Sequence, residues 1–161
     1  MKTKAKIYWT IALLVGVGLL YYVISLSVHN TQDCQTTPAT EMDIGSHSNL
    51  ALHIHQQLSI TINGEAVDIP ANIGIETDIM RPIHTHDASG KIHVEGTCER
   101  DFTLQELFAV WGKTFNSSCI MDSCVDDTHT LKMYVNGVES LQYETLVLKD
   151  EDSIEIVYEE I

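Results

Sequence analysis

The chain has 161 residues, 44% of them hydrophobic, with 23 acidic against nine basic side chains and a formal net charge of −14. Beyond a hydrophobic N-terminus this length suffices for one domain with one core, and the composition excludes wholesale disorder. So large an acidic excess repels nucleic acid and anionic lipid headgroups, which excludes a nucleic-acid partner and favours cations, although a solvated acidic surface alone gives the same bias.

Lys2, Lys4 and Lys6 precede an uncharged apolar run, Ile7 to Val28, and every acidic residue follows it. At about 1.5 Å per residue, such a run in helical form crosses a hydrocarbon core of about 30 Å. Trp9, Tyr21 and Tyr22 fall toward its ends, where aromatic rings favour the interface. The expectation is therefore a cytoplasmic N-terminus over 1–6, a transmembrane signal-anchor helix over 7–28 and a domain on the outer side of the cell membrane. The alternative is a signal peptide cleaved near Ser25-Leu26-Ser27. Residues 29–48 are polar and read as a stalk, leaving 49–161 as the extracytoplasmic domain.

From Leu52 the period becomes two. Leu52, Ile54, Leu58, Ile60 and Ile62 share one face of a strand, while His53, His55, Ser59 and Thr61 share the other. Asn63-Gly64 signals a tight hairpin. A second hairpin over 82–95 turns through Asp87 to Gly90, which sets His84 opposite His93. Thr103, with Glu106 three residues on, forms a capping box at the head of a helix ending at Gly112. Leu104, Leu107, Phe108 and Trp111 form its apolar stripe. A polar loop over 116–130 follows. Then come a strand at 131–135, a second Asn-Gly turn at Asn136-Gly137 and an alternating C-terminal strand over 153–158.

Hairpin, helix and closing strands predict an α+β domain, a mixed sheet with one helix packed on it. That order, with the closing stretch Leu148 to Val157, resembles the β-grasp fold of ubiquitin-like and sulfur-carrier proteins. The chain ends Tyr-Glu-Glu-Ile161 without the diglycine tail of the carriers, so carrier chemistry is not implied. His84-Thr-His-Asp-Ala-Ser-Gly-Lys-Ile-His-Val-Glu95, followed by Phe102-Thr-Leu-Gln-Glu-Leu-Phe108 and Val110-Trp-Gly112, is similar to a module of uncharacterised exported, membrane-anchored proteins of bacteria and archaea. That resemblance implies a location and no activity.

Five of the eight histidines lie in strand motifs: His53 and His55, and His84, His86 and His93. Histidines two apart on a strand share a face, and Glu95 shares the face of His93. Neutral imidazoles grouped in this way suit zinc or copper(II), with Met80 as a soft ligand for copper(I). The competing reading is a polar sheet face without a ligand. Cys34, Cys98, Cys119 and Cys124 are expected to form disulfides in an oxidising compartment. Cys98 and Cys119 flank the helix and make the first candidate pair. Cys119 and Cys124 with Met121 offer a sulfur site for copper instead. Asn116-Ser117-Ser118 is a glycosylation sequon in an expected surface loop.

No nucleophile elbow, phosphate-binding glycine loop or zinc-protease motif is present, so no enzyme is expected. Two functions follow from the sequence. One is a membrane-tethered domain that binds copper or zinc through its histidine face. The other is a non-catalytic interaction domain or accessory subunit of a membrane protein complex.

Overall fold

The structure is a computed structural model that describes residues 13–24, 34–45 and 47–161. The chain divides into two compact units, Met1–Thr36 and Thr37–Ile161. In the first, residues 13–24 are helical. Among the described residues no helix is long and apolar enough to cross a membrane. For the described residues this corrects the expected membrane-spanning helix over 7–28. Residues 1–12 and 25–28, on which the rest of that expectation falls, lie outside the described residues.

The second unit is sheet-rich. Its strands are β1 (Leu52–Ile62), β2 (Glu65–Ala66), β3 (Ile75–Glu76), β4 (Ile79–Met80), β5 (Ile83–His84), β6 (Lys91–Gly96), β7 (Phe115–Asn116), β8 (Cys119–Ile120), β9 (Ser123–Cys124), β10 (His129–Val135), β11 (Val138–Glu139) and β12 (Ser153–Glu160). The main sheet runs β11-β10-β12-β1-β6-β5, with β2 paired to β1. It is mixed: β1 and β12 are parallel and the other pairings are antiparallel. β3 and β4 form a separate ribbon, and β7, β8 and β9 a three-stranded meander. In place of the expected α+β chain, with its spanning helix and β-grasp-like domain, the fold is thus a mixed, sheet-rich domain with few helices. Much of the difference lies in the segment expected as a polar loop over 116–130, which pairs with itself as strands.

Alternation in the sequence sets the faces. Leu58 and Ile60 of β1 lie across from Ile154 and Ile156 of β12, and Ile156 lies across from Met133 of β10; all five are buried. Ile92 and Val94 of β6 and Ile83 of β5 continue that apolar face. Both Asn-Gly turns take positive φ at each central residue, the geometry that matches hairpin twist. Gly90 closes the turn into β6 at φ 80°. Its carbonyl accepts a hydrogen bond from Leu58 N–H at 2.9 Å, and an added Cβ would collide with the Leu58 carbonyl.

The helix Leu104–Trp111 starts where Thr103 N–H donates to Glu106 Oε2 at 3.0 Å, and it stops at Gly112 in the left-handed conformation. Leu104, Leu107 and Phe108 are buried, and Phe108 stacks on Phe115 at 4.6 Å. Its nearest backbone neighbours are β5, β7 and the short 3₁₀ turn Tyr143–Thr145. Trp111, Ile62 and Val135 are half-buried.

Thr37 onward, within the stretch read as a stalk, groups with the second unit. Ala39, Met42 and Ile44 are buried. Ile44 N–H donates to Met80 O, the Arg81 guanidinium donates to Met42 O, and Asp43 accepts from the N–H groups of Met80 and Gly45. This strap of chain carries His47 up to the sheet.

Candidate metal centre

Three adjacent strands bring the histidines together. His55 of β1 pairs across from His93 of β6, which pairs across from His84 of β5, so one rung of the sheet carries three imidazoles. One rung along, His53 lies across from Glu95. Side chains two apart on a strand share a face, so His53, His55, His84, His93 and Glu95 all project from the face opposite Leu58, Ile60, Ile92 and Val94. His86 follows β5 at the same parity, and its ring lies 4.8 Å from His84 and 4.7 Å from His93, centroid to centroid. Asp87, in the adjoining turn, is occupied locally, accepting from Ser89 N–H at 2.9 Å.

Glu95 is the floor of the site. It is 1% exposed, and its ion-pair partners among the described residues are all histidines. Oε2 accepts from His47 Nδ1 at 2.7 Å. Oε1 lies 3.3 Å from His53 Nε2 and 4.0 Å from both His84 Nε2 and His93 Nδ1. His53 Nε2 is in turn 3.2 Å from His55 Nε2.

His84 is fully buried. Its Nδ1 donates to the Arg81 carbonyl at 3.0 Å, which fixes the tautomer and leaves the Nε2 lone pair facing the cluster. That Nε2, like His93 Nδ1, has no hydrogen-bond partner among the described residues. Burial disfavours the imidazolium form of both rings. For His84, desolvation outweighs the Arg81 carbonyl and Glu95, which act the other way. For His93, desolvation and the neighbouring His55, His86 and His84 push the pKa down to about 4. Both are therefore neutral at physiological pH, the form that ligates metals.

Three groups of ligand atoms lie within 4.8 Å of one another: His47, His84 and His86; His53, His55 and His93; and His84, His93 and Glu95. All six metal candidates from the sequence, His53, His55, His84, His86, His93 and Glu95, are thus in one place. Met80 sits in β4, paired across from Ile75 of β3. His47 was not foreseen, because its segment looked like stalk. The only hint was the spacing of Ala39, Met42 and Ile44, apolar residues in an otherwise polar stretch.

The cysteines are oxidised. Cys119 pairs with Cys124, which lie opposite each other on β8 and β9. This corrects the expected Cys98–Cys119 pair: the meander sets Cys119 beside Cys124, and the thiolates that a copper site there needs are consumed. Cys34 and Cys98 are also disulfide-bonded, and no cysteine is free. That state fits an oxidising, extracytoplasmic environment. Asn116 is half-buried in β7, and its side-chain oxygen accepts from the N–H groups of Ser118 and Cys119 at 2.8 and 2.9 Å. The sequon asparagine thus organises its own turn.

The site offers histidine and carboxylate groups that can hold a metal ion. Compared with known protein families, curated proteins and solved structures, the chain shows no match.

Proposed function

We propose that this chain is an extracytoplasmic domain that binds a transition metal, zinc or copper, on the histidine face of its sheet. The observation that carries the reading is His84: a fully buried imidazole, its tautomer set by the Arg81 carbonyl, with an Nε2 lone pair that no donor among the described residues satisfies. Leaving a buried acceptor unpaired costs about 1–3 kcal/mol. A metal ion beside Nε2 removes that cost, and a histidine whose second nitrogen donates to a backbone carbonyl is the usual form of a metal-bound imidazole. Imidazole nitrogen with one carboxylate suits zinc and copper(II) better than magnesium or calcium, which prefer oxygen. Glu95 supports the reading twice, as an oriented partner of His47 and as a buried negative charge beside the lone pairs.

Titration of the purified chain with zinc(II) and with copper(II), each followed by metal analysis after gel filtration, tests this. The expected result is at least one ion retained per chain, lost in a His84→Leu, His93→Leu double variant that keeps the wild-type circular dichroism spectrum. Retention by that variant equal to wild type would place the metal elsewhere and overturn the reading.

A further inference from the structure

The cluster holds more ligands than one ion can use. Six imidazoles and one carboxylate converge, whereas zinc takes four ligands and its catalytic sites take three from protein. Two of the three groups share no member and between them use all six rings, His47, His84 and His86 in one and His53, His55 and His93 in the other, while the third, His84, His93 and Glu95, spans them. Resting on the metal-binding reading above, we infer that the site is dinuclear, with one ion held by each set of three histidines and Glu95 between them.

Glu95 reaches both sets. Its Oε2 is 2.7 Å from His47 of the first set, and its Oε1 is 3.3 Å from His53 of the second and 4.0 Å from both His84 and His93, one from each set. A buried carboxylate within reach of both sets is placed to bridge two cations. Between the sets, His84 and His93 are stacked within 10° of parallel at 5.4 Å, and His86 lies 4.7 Å from His93. His84 and His93 are the members of their sets with a buried nitrogen, Nε2 and Nδ1 respectively, that has no hydrogen-bond partner among the described residues. One ion would satisfy the first and a second ion the other.

Distances allow this. Three nitrogens around a tetrahedral ion at about 2.0–2.1 Å lie about 3.3 Å apart. In each set the ligand atoms are already within 4.8 Å, so modest ring movements suffice. Metal pairs in proteins sit about 3.5–4 Å apart, the span of a bridging carboxylate. Charge permits it as well. Two divalent ions beside one carboxylate leave excess positive charge, and a chain of net charge −14 opposes its build-up. His47, His53 and His86 are exposed, so the pair opens to solvent and would take an oxygen-donor ligand from that side.

Copper(II) is the probe, because stoichiometry and magnetic coupling report separately. The full chain is loaded, gel-filtered and examined by metal analysis and quantitative electron paramagnetic resonance. The expected result for wild type is two coppers per chain with an integrated signal well below two spins, since adjacent copper(II) ions couple. His86→Ala and His53→Ala, both at exposed positions, are each expected to retain one copper with one full spin. One copper in wild type would overturn the dinuclear site while leaving metal binding standing. Two coppers with two independent spins, or variants that still hold two, would overturn the pairing. No retained copper would remove both readings for this metal.

Discussion

His84 and His93 face each other across β5 and β6 with their rings 10° from parallel, and each carries one buried nitrogen without a hydrogen-bond partner. Proteins keep such unpaired polar atoms where function requires them, at some expense to stability. Several measurable consequences come from that relationship and from the carboxylate beneath it.

Replacing His84 with leucine should separate stability from binding. The substitution removes an unpaired buried Nε2 but also strands the Arg81 carbonyl that Nδ1 now satisfies. These opposing terms, each about 1–3 kcal/mol, leave the metal-free protein within about 2 kcal/mol of wild type in either direction. Zinc affinity should fall at least tenfold. Urea unfolding with and without metal checks both. A large loss of metal-free stability would mean that His84 is a structural histidine.

Glu95→Gln keeps shape and removes charge. Outer-shell carboxylates of metal-bound histidines are typically worth 10–100-fold in metal affinity. A drop of at least that size is expected, larger if Glu95 itself is a ligand, and calorimetric titration with zinc measures it. An unchanged affinity would remove Glu95 from the site.

Stability of the metal-free chain should depend on pH in a defined window. The folded state holds His93 at about 4, below its ordinary value of 6.5, and His84 is shifted in the same direction. Between those values the unfolded chain binds more protons than the folded one, so unfolding free energy rises with pH. The contribution is complete above about pH 6.5 and is lost as pH falls toward 4. For His93 it amounts to at most about 3 kcal/mol. Urea midpoints from pH 7.5 to 4 check this, and a His93→Leu variant should flatten the profile. A profile that stays equally steep in the variant would assign the dependence to other groups.

The Cys119–Cys124 disulfide should act on stability alone. It closes a short loop in the β7-β8-β9 meander, which forms a sheet of its own and contributes no ligand to the histidine groups. A Cys119→Ser, Cys124→Ser double variant is expected to lose about 2 kcal/mol with metal stoichiometry unchanged, as thermal unfolding and metal analysis would show.

Period-two alternation was enough to place Leu58 and Ile60 on one face and His53 and His55 on the other, and a four-residue turn signal set His84 opposite His93. Those features are local, and local rules carry them. What needed tertiary information was missed. His47 reaches the site only because Ala39, Met42 and Ile44 anchor the preceding chain, and apolar residues that sparse show no period. The Cys119–Cys124 bond depends on three two-residue strands, too short to register as alternation. The apolar run near the N-terminus satisfied a length rule for a spanning helix, but among the described residues no helix is long and apolar enough to cross a membrane. The burial of Glu95, the deepest charge in the site, follows from the strap and sheet closing around it and from nothing in its own neighbourhood of the chain.

The most direct test of the central claim is an anomalous-difference map from crystals of the chain grown with zinc(II), with data collected on both sides of the zinc absorption edge. The account expects a peak about 2.0–2.1 Å from His84 Nε2, with further nitrogen ligands from the surrounding histidines. Zinc found only at the acidic surface, with His84 Nε2 left unligated, would contradict it.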